Sequence, residues 1–172
     1  CSSDLKNEDQ IQLSASLSEA VKMNEKAEHR IIGLTIETTP PFVTHANCRE
    51  RREMGVTRIE MGVQSTDNQI LEMNKRGHTV EEIRVAMNRL RQYGFKMSIH
   101  IMPGLYGSNL EKDIDTFRQI YDDESLRPDE IKFYPTSVIP DTELYTLYLE
   151  GKYQPITTEE ISQIIRQTFR EI

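Results

Sequence analysis

Apolar residues recur along the chain with two different spacings, and the two alternate. Short runs rich in β-branched and aromatic residues lie at 31–36, 57–63, 95–101 and 130–134. Each has the length and composition of a strand. The first, Ile31, Ile32, Gly33, Leu34, Thr35 and Ile36, reads as a buried strand with Glu37 at its exit, ahead of two threonines and two prolines. The segments between these runs repeat their apolar positions at the helical interval. Ser16 and Glu19 form a capping-box pattern ahead of Leu17, Ala20, Val21 and Ala27, which lie along one face. Residues 44–54 read as a polar, Arg-rich helix ending near Gly55, and a short helix is expected at 67–74. "TVEE" from Thr79 is a second capping box, and its helix runs to Gly94, a C-terminal stop. "SNLE" opens a helix at 109–122, and two more follow, at 141–150 and from Thr157, separated by Gly151.

Strands that alternate with helices define an α/β protein with a parallel sheet. The runs at 31–36, 57–63, 95–101 and 130–134 should therefore lie side by side in that order. The strands are short, so a partial (β/α) barrel and a flat doubly wound sheet both fit. Either architecture gathers ligands at the C-terminal ends of its strands. Those four exits hold Glu37; Gln64 and Ser65; His100 with a Pro103-Gly104 turn; and Lys132, Tyr134 and Pro135.

Each residue also has a plainer reading. Glu37 could cap a helix or pair with an arginine, and Gln64 could satisfy buried backbone. His100, in an apolar strand, is more often a satisfied core residue than a ligand. Lys132 and Tyr134 alternate with Ile131 and Phe133, so the two pairs face opposite sides of the sheet. Met61, Met97 and Met102 are simplest as core fillers. Arg49, Arg51 and Arg52 read first as a solvated helix face and second as an anion site. The coincidence of polar groups at all four exits, rather than any one residue, favours a site.

Composition narrows the picture. The chain has 172 residues, 37% hydrophobic and 28% charged, enough for one domain with a core and too apolar for disorder. A net charge of −7 argues against a dedicated nucleic-acid-binding module and leaves room for a local basic patch. Cys1 and Cys48, far apart, make neither a CxxC motif nor a zinc pattern, and read as reduced thiols. No segment approaches the ~20 apolar residues of a membrane span. The polar "CSSDLKNEDQ" start is not a signal peptide, and because it lacks Met the chain is expected to be a processed product or a piece of something longer.

"HRIIGLTIETTP", "GVTRIEMGVQS", "NKRGHTVEEI", "GFKMSIHIMPGL" and "RPDEIKFYPTSVIPDTELYTLYLEGKY", in that order, resemble the radical S-adenosylmethionine domain of the Elongator catalytic subunit family, which modifies the wobble uridine of tRNA. The resemblance implies a partial parallel barrel of which this chain keeps strands three to six, as a single domain over residues 1–172. It implies S-adenosylmethionine across the strand exits. In the full-length protein it also implies a [4Fe–4S] cluster on three cysteines, a following acetyltransferase-like domain and acetyl-CoA as two-carbon donor. By the same resemblance Glu37, Gln64, Arg76, His100 and Tyr134 are cofactor-binding residues, with Arg76 on the cofactor's carboxylate. The Pro103-Gly104 turn and Tyr134 would meet the adenine, and Lys132 would belong to the substrate pocket. Pro40 and Pro41 would fix the loop that carries Glu37. The tRNA would rest on a basic rim of Arg49, Arg51, Arg52, Arg58 and Lys75 beside the strand exits. Elongator-type subunits are implied partners, and the cytoplasm the implied location.

Two departures qualify the resemblance. Thr39 and Pro41 stand where the family usually has Arg and Asp, and neither Cys1 nor Cys48 supplies the three closely spaced thiolates of a cluster loop. The chain taken alone is therefore expected to be catalytically silent, with no metal site. A different class of reading stands beside this one: a cluster-less relative that serves as a binding or scaffold module. A small-molecule enzyme of the same branch is a third, opposed by the "RGHT" and "KFYPT" motifs.

Overall fold

The computed structural model describes residues 16–170. The polar start and Cys1 lie outside the described residues. In chain order the elements are α1 (Leu17–Glu25), β1 (Thr35–Thr38), a 3-10 turn (Pro40–Phe42), α2 (His45–Glu53), β2 (Arg58–Gln64), α3 (Asn68–Met73) and α4 (Val80–Gln92). They continue as β3 (Lys96–Ile101), α5 (Leu110–Asp122), β4 (Glu130–Phe133), α6 (Glu143–Leu149) and α7 (Thr158–Arg170). The four strands form one sheet in the order β1-β2-β3-β4, and every pairing is parallel. This is the expected α/β architecture, with its strands adjacent in chain order.

The pleat sends alternate residues of each strand to opposite faces. Ile59, Met61 and Val63 of β2 and Met97, Ile99 and Ile101 of β3 join one core with Ile83, Met87 and Leu90 of α4, Phe117 and Ile120 of α5, and Ile164 of α7. Phe133 of β4 stacks on Phe117 with ring centroids 5.8 Å apart. Each fully buried side chain of this size contributes about 1.5–3 kcal/mol. Met61 and Met97 fill the core as expected, and Cys48 joins them with no exposed surface.

Local chemistry sets the helix ends. At α4, Thr79 Oγ1 accepts from the Glu82 N–H, and the Glu82 carboxylate accepts from the Thr79 N–H. Arg89 and Arg91 occupy its last turn, where the helix dipole favours cations. Gly94, at φ +70°, then ends the helix in a conformation that an L-side chain adopts with strain.

One strand departs from expectation. The apolar run 31–36 is not a buried strand: Ile31 and Ile32 are 69% and 82% exposed, and the ladder begins only at Thr35. The backbone before it is held by side chains. Asn24 both donates to and accepts from the Ile31 main chain, and Thr57 Oγ1 accepts from the Leu34 N–H. β1 is an edge strand, so these apolar residues lack a second neighbour to bury them. The shift places Glu37 inside the strand, third of four residues, rather than beyond it. The prolines then close a 3-10 turn, in which Phe42 N–H donates to the Thr39 carbonyl.

Candidate active site at the strand exits

The face of the sheet away from the core carries the polar residues, and strand register brings them together. Glu37 pairs across from Glu60, Gly62 from His100, and His100 from Lys132. His100 is buried between two acids, with Nδ1 3.4 Å from Glu37 Oε1 and Nε2 3.2 Å from Glu60 Oε2. Lys132 Nζ donates to Glu60 Oε1 at 2.6 Å. That bond holds the Glu60 carboxyl below its usual range, helped by His100 against the opposing effect of burial. The same bond raises the Lys132 ammonium. Tyr134 presents its ring edge-on to His100, centroids 5.3 Å apart. Glu37, Glu60, His100, Lys132 and Tyr134 thus form one continuous group across four strands.

At the exit of β2 the register slips between Gly62 and Gln64, and Gln64 takes φ +73°, a region rare for residues with a side chain. Its amide folds back over Gly62: a Cβ built on Gly62 would sit 2.8 Å from Gln64 Nε2, so glycine makes the fold-back possible. Gln64 Oε1 is buried without a hydrogen-bond partner. The Gln64 carbonyl accepts from the Met102 N–H, and the Met102 sulfur in turn faces Arg76 Nη2 at 2.7 Å. Arg76 is half-buried, and burial lowers the stability of its charged form. Its Nε is buried without a partner. Met102 is therefore not a core filler but the neighbour of a guanidinium.

The proposed basic rim is not one surface. Arg49 and Lys75 are exposed, Lys75 pairing with Glu143 at 2.5 Å. Arg51 reaches under the sheet exit to donate to Thr38 Oγ1. Arg52 lies over the Phe95 ring and donates to the Val56 carbonyl, and Arg58 pairs with Glu130. Val56 and Phe95 precede β2 and β3, and Arg58 and Glu130 open β2 and β4, so Arg52 and Arg58 sit at the strand entrances. The expectation that all these cations flank the exits fails, because α2 runs back from the exit of β1 to the entrance of β2.

The Pro103-Gly104 turn is also committed within the fold. The Gly104 N–H donates to the buried Asp113 carboxylate at 2.8 Å, and its carbonyl accepts from Tyr153 Oη at 2.7 Å. Burial pushes the Asp113 carboxyl up.

Sequence reasoning missed Glu60. Its signal was present: Arg58, Glu60, Gly62 and Gln64 alternate with Ile59, Met61 and Val63, which places an acid at the centre of the face that His100 and Lys132 share.

A four-stranded parallel sheet with helical crossovers and its polar residues gathered on one face is a portion of a parallel (β/α) barrel. The chain belongs to the Radical SAM superfamily, matching it over residues 8–120, and matches the radical SAM C-terminal domain over residues 128–172. Among curated proteins it is 44% identical over 152 residues to the tRNA uridine(34) acetyltransferase of Methanocaldococcus jannaschii, covering 88% of this chain and 28% of that protein. It is 35% identical over 152 residues to human Elongator complex protein 3, again covering 88% and 28%. Among solved structures it is similar to the archaeal Methanocaldococcus infernus Elp3 with an N-terminal deletion, with TM-score 0.86 and 41% identity over 90% of this chain and 36% of that one. Coproporphyrinogen III oxidase from Escherichia coli shares the fold at TM-score 0.65 and 18% identity, over 91% of this chain and 36% of that one. The chain thus spans about 28% of the length of the curated relatives it matches.

The residues can be tested against the groups this superfamily implies. Among the described residues the exits offer a cation without an acidic partner at Arg76 and an unused buried acceptor on Gln64, which suits a ligand bearing a carboxylate and hydrogen-bond donors. An iron–sulfur cluster does not fit. Cys48 lies in the core, where burial raises its thiol, and among the described residues no three His, Cys, Asp or Glu side chains group as metal ligands. Nor is any helix among them long and apolar enough to cross a membrane.

Proposed function

We propose that this chain is the later part of the radical SAM barrel of a tRNA wobble-uridine-modifying enzyme, which in complete form uses S-adenosylmethionine and acetyl-CoA to build a carboxymethyl group on the uridine. The observation that carries the reading is that Arg76 and Gln64, linked through Met102 at the exits of β2 and β3, stand above the Glu37–His100–Glu60–Lys132 chain on the polar face of the same strands. Arg76 binds the cofactor's carboxylate through a two-pronged contact for which guanidinium is shaped. Glu37, His100 and Tyr134 hold the nucleoside end, and Gln64 Oε1 accepts from a donor of the ligand. Lys132, fixed by Glu60, faces the substrate pocket. Bound S-adenosylmethionine would supply radical chemistry in the complete protein, and the role of this chain's residues would be to bind and orient it. Arg49 and Lys75 are the exposed cations of the rim best placed for tRNA phosphate, and Arg51, Arg52 and Arg58 brace the fold behind them. The name Elongator complex protein 3 among the relatives supports Elongator-type subunits as partners, and a cytoplasmic setting is part of the same proposal.

The test is the complete protein, purified anaerobically with its cluster and given tRNA, S-adenosylmethionine and acetyl-CoA. The expected products are 5′-deoxyadenosine and a carboxymethylated wobble uridine, read by mass spectrometry of digested nucleosides. A loaded protein that yields neither is instead the binding or scaffold relative.

A further inference from the structure

The loop that presents Arg76, residues 74–78, is tied to both neighbouring strand exits. Its backbone turns sharply: Lys75 takes φ +53°, a left-handed conformation uncommon for a residue with a side chain, and Gly77 takes φ +71°, which glycine adopts freely. The Lys75 bend closes α3 through the main chain, with the Lys75 N–H donating to the Glu72 carbonyl and the Arg76 N–H to the Leu71 carbonyl. Two side chains then tie the loop to its neighbours. Asn74 Nδ2 donates to the Ile70 and Tyr106 carbonyls, both at 2.8 Å, and Asn74 Oδ1 accepts from the Tyr106 N–H at 3.2 Å. Tyr106 lies in the loop that leaves β3, so Asn74 bolts one end of the segment to that exit. At the other end His78, 7% exposed, sits with Nδ1 3.0 Å from the Arg76 carbonyl and Nε2 3.2 Å from the Val63 carbonyl. Val63 immediately precedes Gln64 at the exit of β2.

We infer that Asn74 and His78 are positioning residues that hold the Arg76 guanidinium in place for a carboxylate ligand. The inference rests on the reading that Arg76 binds the cofactor's carboxylate. His78 touches the Arg76 peptide itself, and Asn74 fixes the loop whose Met102 neighbour backs the guanidinium. A long, rotamer-rich side chain binds an anion well only when its ordering is prepared in the free protein. With the backbone on either side pinned to β2 and to the β3 loop, that ordering is already present. "NKRGHT" thus works as a unit: Asn74 and His78 anchor, Lys75 and Gly77 make the bend, and Arg76 is displayed.

The probes are S-adenosylhomocysteine, which carries the amino-acid carboxylate, and methylthioadenosine, which lacks it. Each is titrated calorimetrically against the complete protein and its Arg76→Gln, His78→Ala and Asn74→Ala variants. All three variants are expected to weaken S-adenosylhomocysteine by about tenfold, the scale of one charge-assisted hydrogen bond, while methylthioadenosine is unchanged. If Arg76→Gln shows this selectivity and the other two do not, the positioning role is wrong and the Arg76 reading stands. If Arg76→Gln shows none, both fall. Equal loss of both probes in His78→Ala and Asn74→Ala marks a merely structural role and overturns the inference. Should His78→Ala melt at the assay temperature, Asn74→Ala alone decides.

Discussion

Asp113 should hold the exit loop of β3 by geometry rather than by charge. Its carboxylate lies at the start of α5, 7% exposed, and accepts from the Gly104 N–H at 2.8 Å and Ser108 Oγ at 2.6 Å. Replacing it with alanine leaves the Gly104 N–H without an acceptor, while Ser108 can turn to solvent. A hydrogen bond to a charged acceptor contributes about 1.5–3 kcal/mol, and a stranded buried donor costs a similar amount. The burial that raises the Asp113 carboxyl offsets part of this, so the expected net loss for Asp113→Ala is about 2–3 kcal/mol. In a domain of this size that corresponds to a melting temperature lower by about 4–12 °C. Asp113→Asn keeps one acceptor oxygen and removes the buried charge, so it should cost less than half as much.

The sign with pH follows from linkage. A carboxyl raised in the folded state contributes stability that is fully present below its unfolded pKa and lost as pH rises through its folded value. The wild type should therefore gain on Asp113→Asn as pH falls through that window. Urea unfolding of the chain and both variants across acidic to neutral pH measures all three quantities. An Asp113→Ala midpoint equal to wild type, or an Asn variant as damaged as the Ala one, would refute the reasoning.

Two further outcomes are expected. Glu60→Gln removes the carboxylate that raises Lys132, so the Lys132 ammonium should titrate closer to an ordinary lysine, followed by NMR of its side chain; because the Glu60 carboxyl is lowered, its contribution to stability is present above the ordinary carboxylate range and lost as pH falls through its folded value, a loss the variant should not show. The 172-residue chain, treated with iron and sulfide under anaerobic conditions, should form no iron–sulfur absorption and release no 5′-deoxyadenosine from S-adenosylmethionine, since its two cysteines are far apart and Cys48 is in the core; a bound cluster with deoxyadenosine produced would show that the chain is no inert excerpt.

The parts of this protein legible in its sequence are those set by local physics. Capping at Thr79, the glycine stop at Gly94 and the positions of β2 and β3 are decided within a few residues, and the structure has them where the pattern puts them. The run at Ile31 and Ile32 misled because apolar β-branched residues specify a strand only where a neighbour and a covering layer exist, and an edge position supplies neither in full. The site divides in the same way. Glu37, His100 and Tyr134 could be gathered because strand exits converge in any parallel α/β sheet. Glu60 could not be gathered by that rule, since it lies in the body of β2, and what makes it central is register: Glu37 stands opposite it on one side, while His100 and Lys132 reach it from the other. Register is a long-range property, fixed by which strand lies beside which. A polar residue in the middle of an apolar strand therefore becomes informative only when the same face of the adjacent strand also carries one. In this sheet Glu60, His100 and Lys132 each mark the others, and among the described residues Arg76 and Gln64 keep unused polar capacity at the exits beside them.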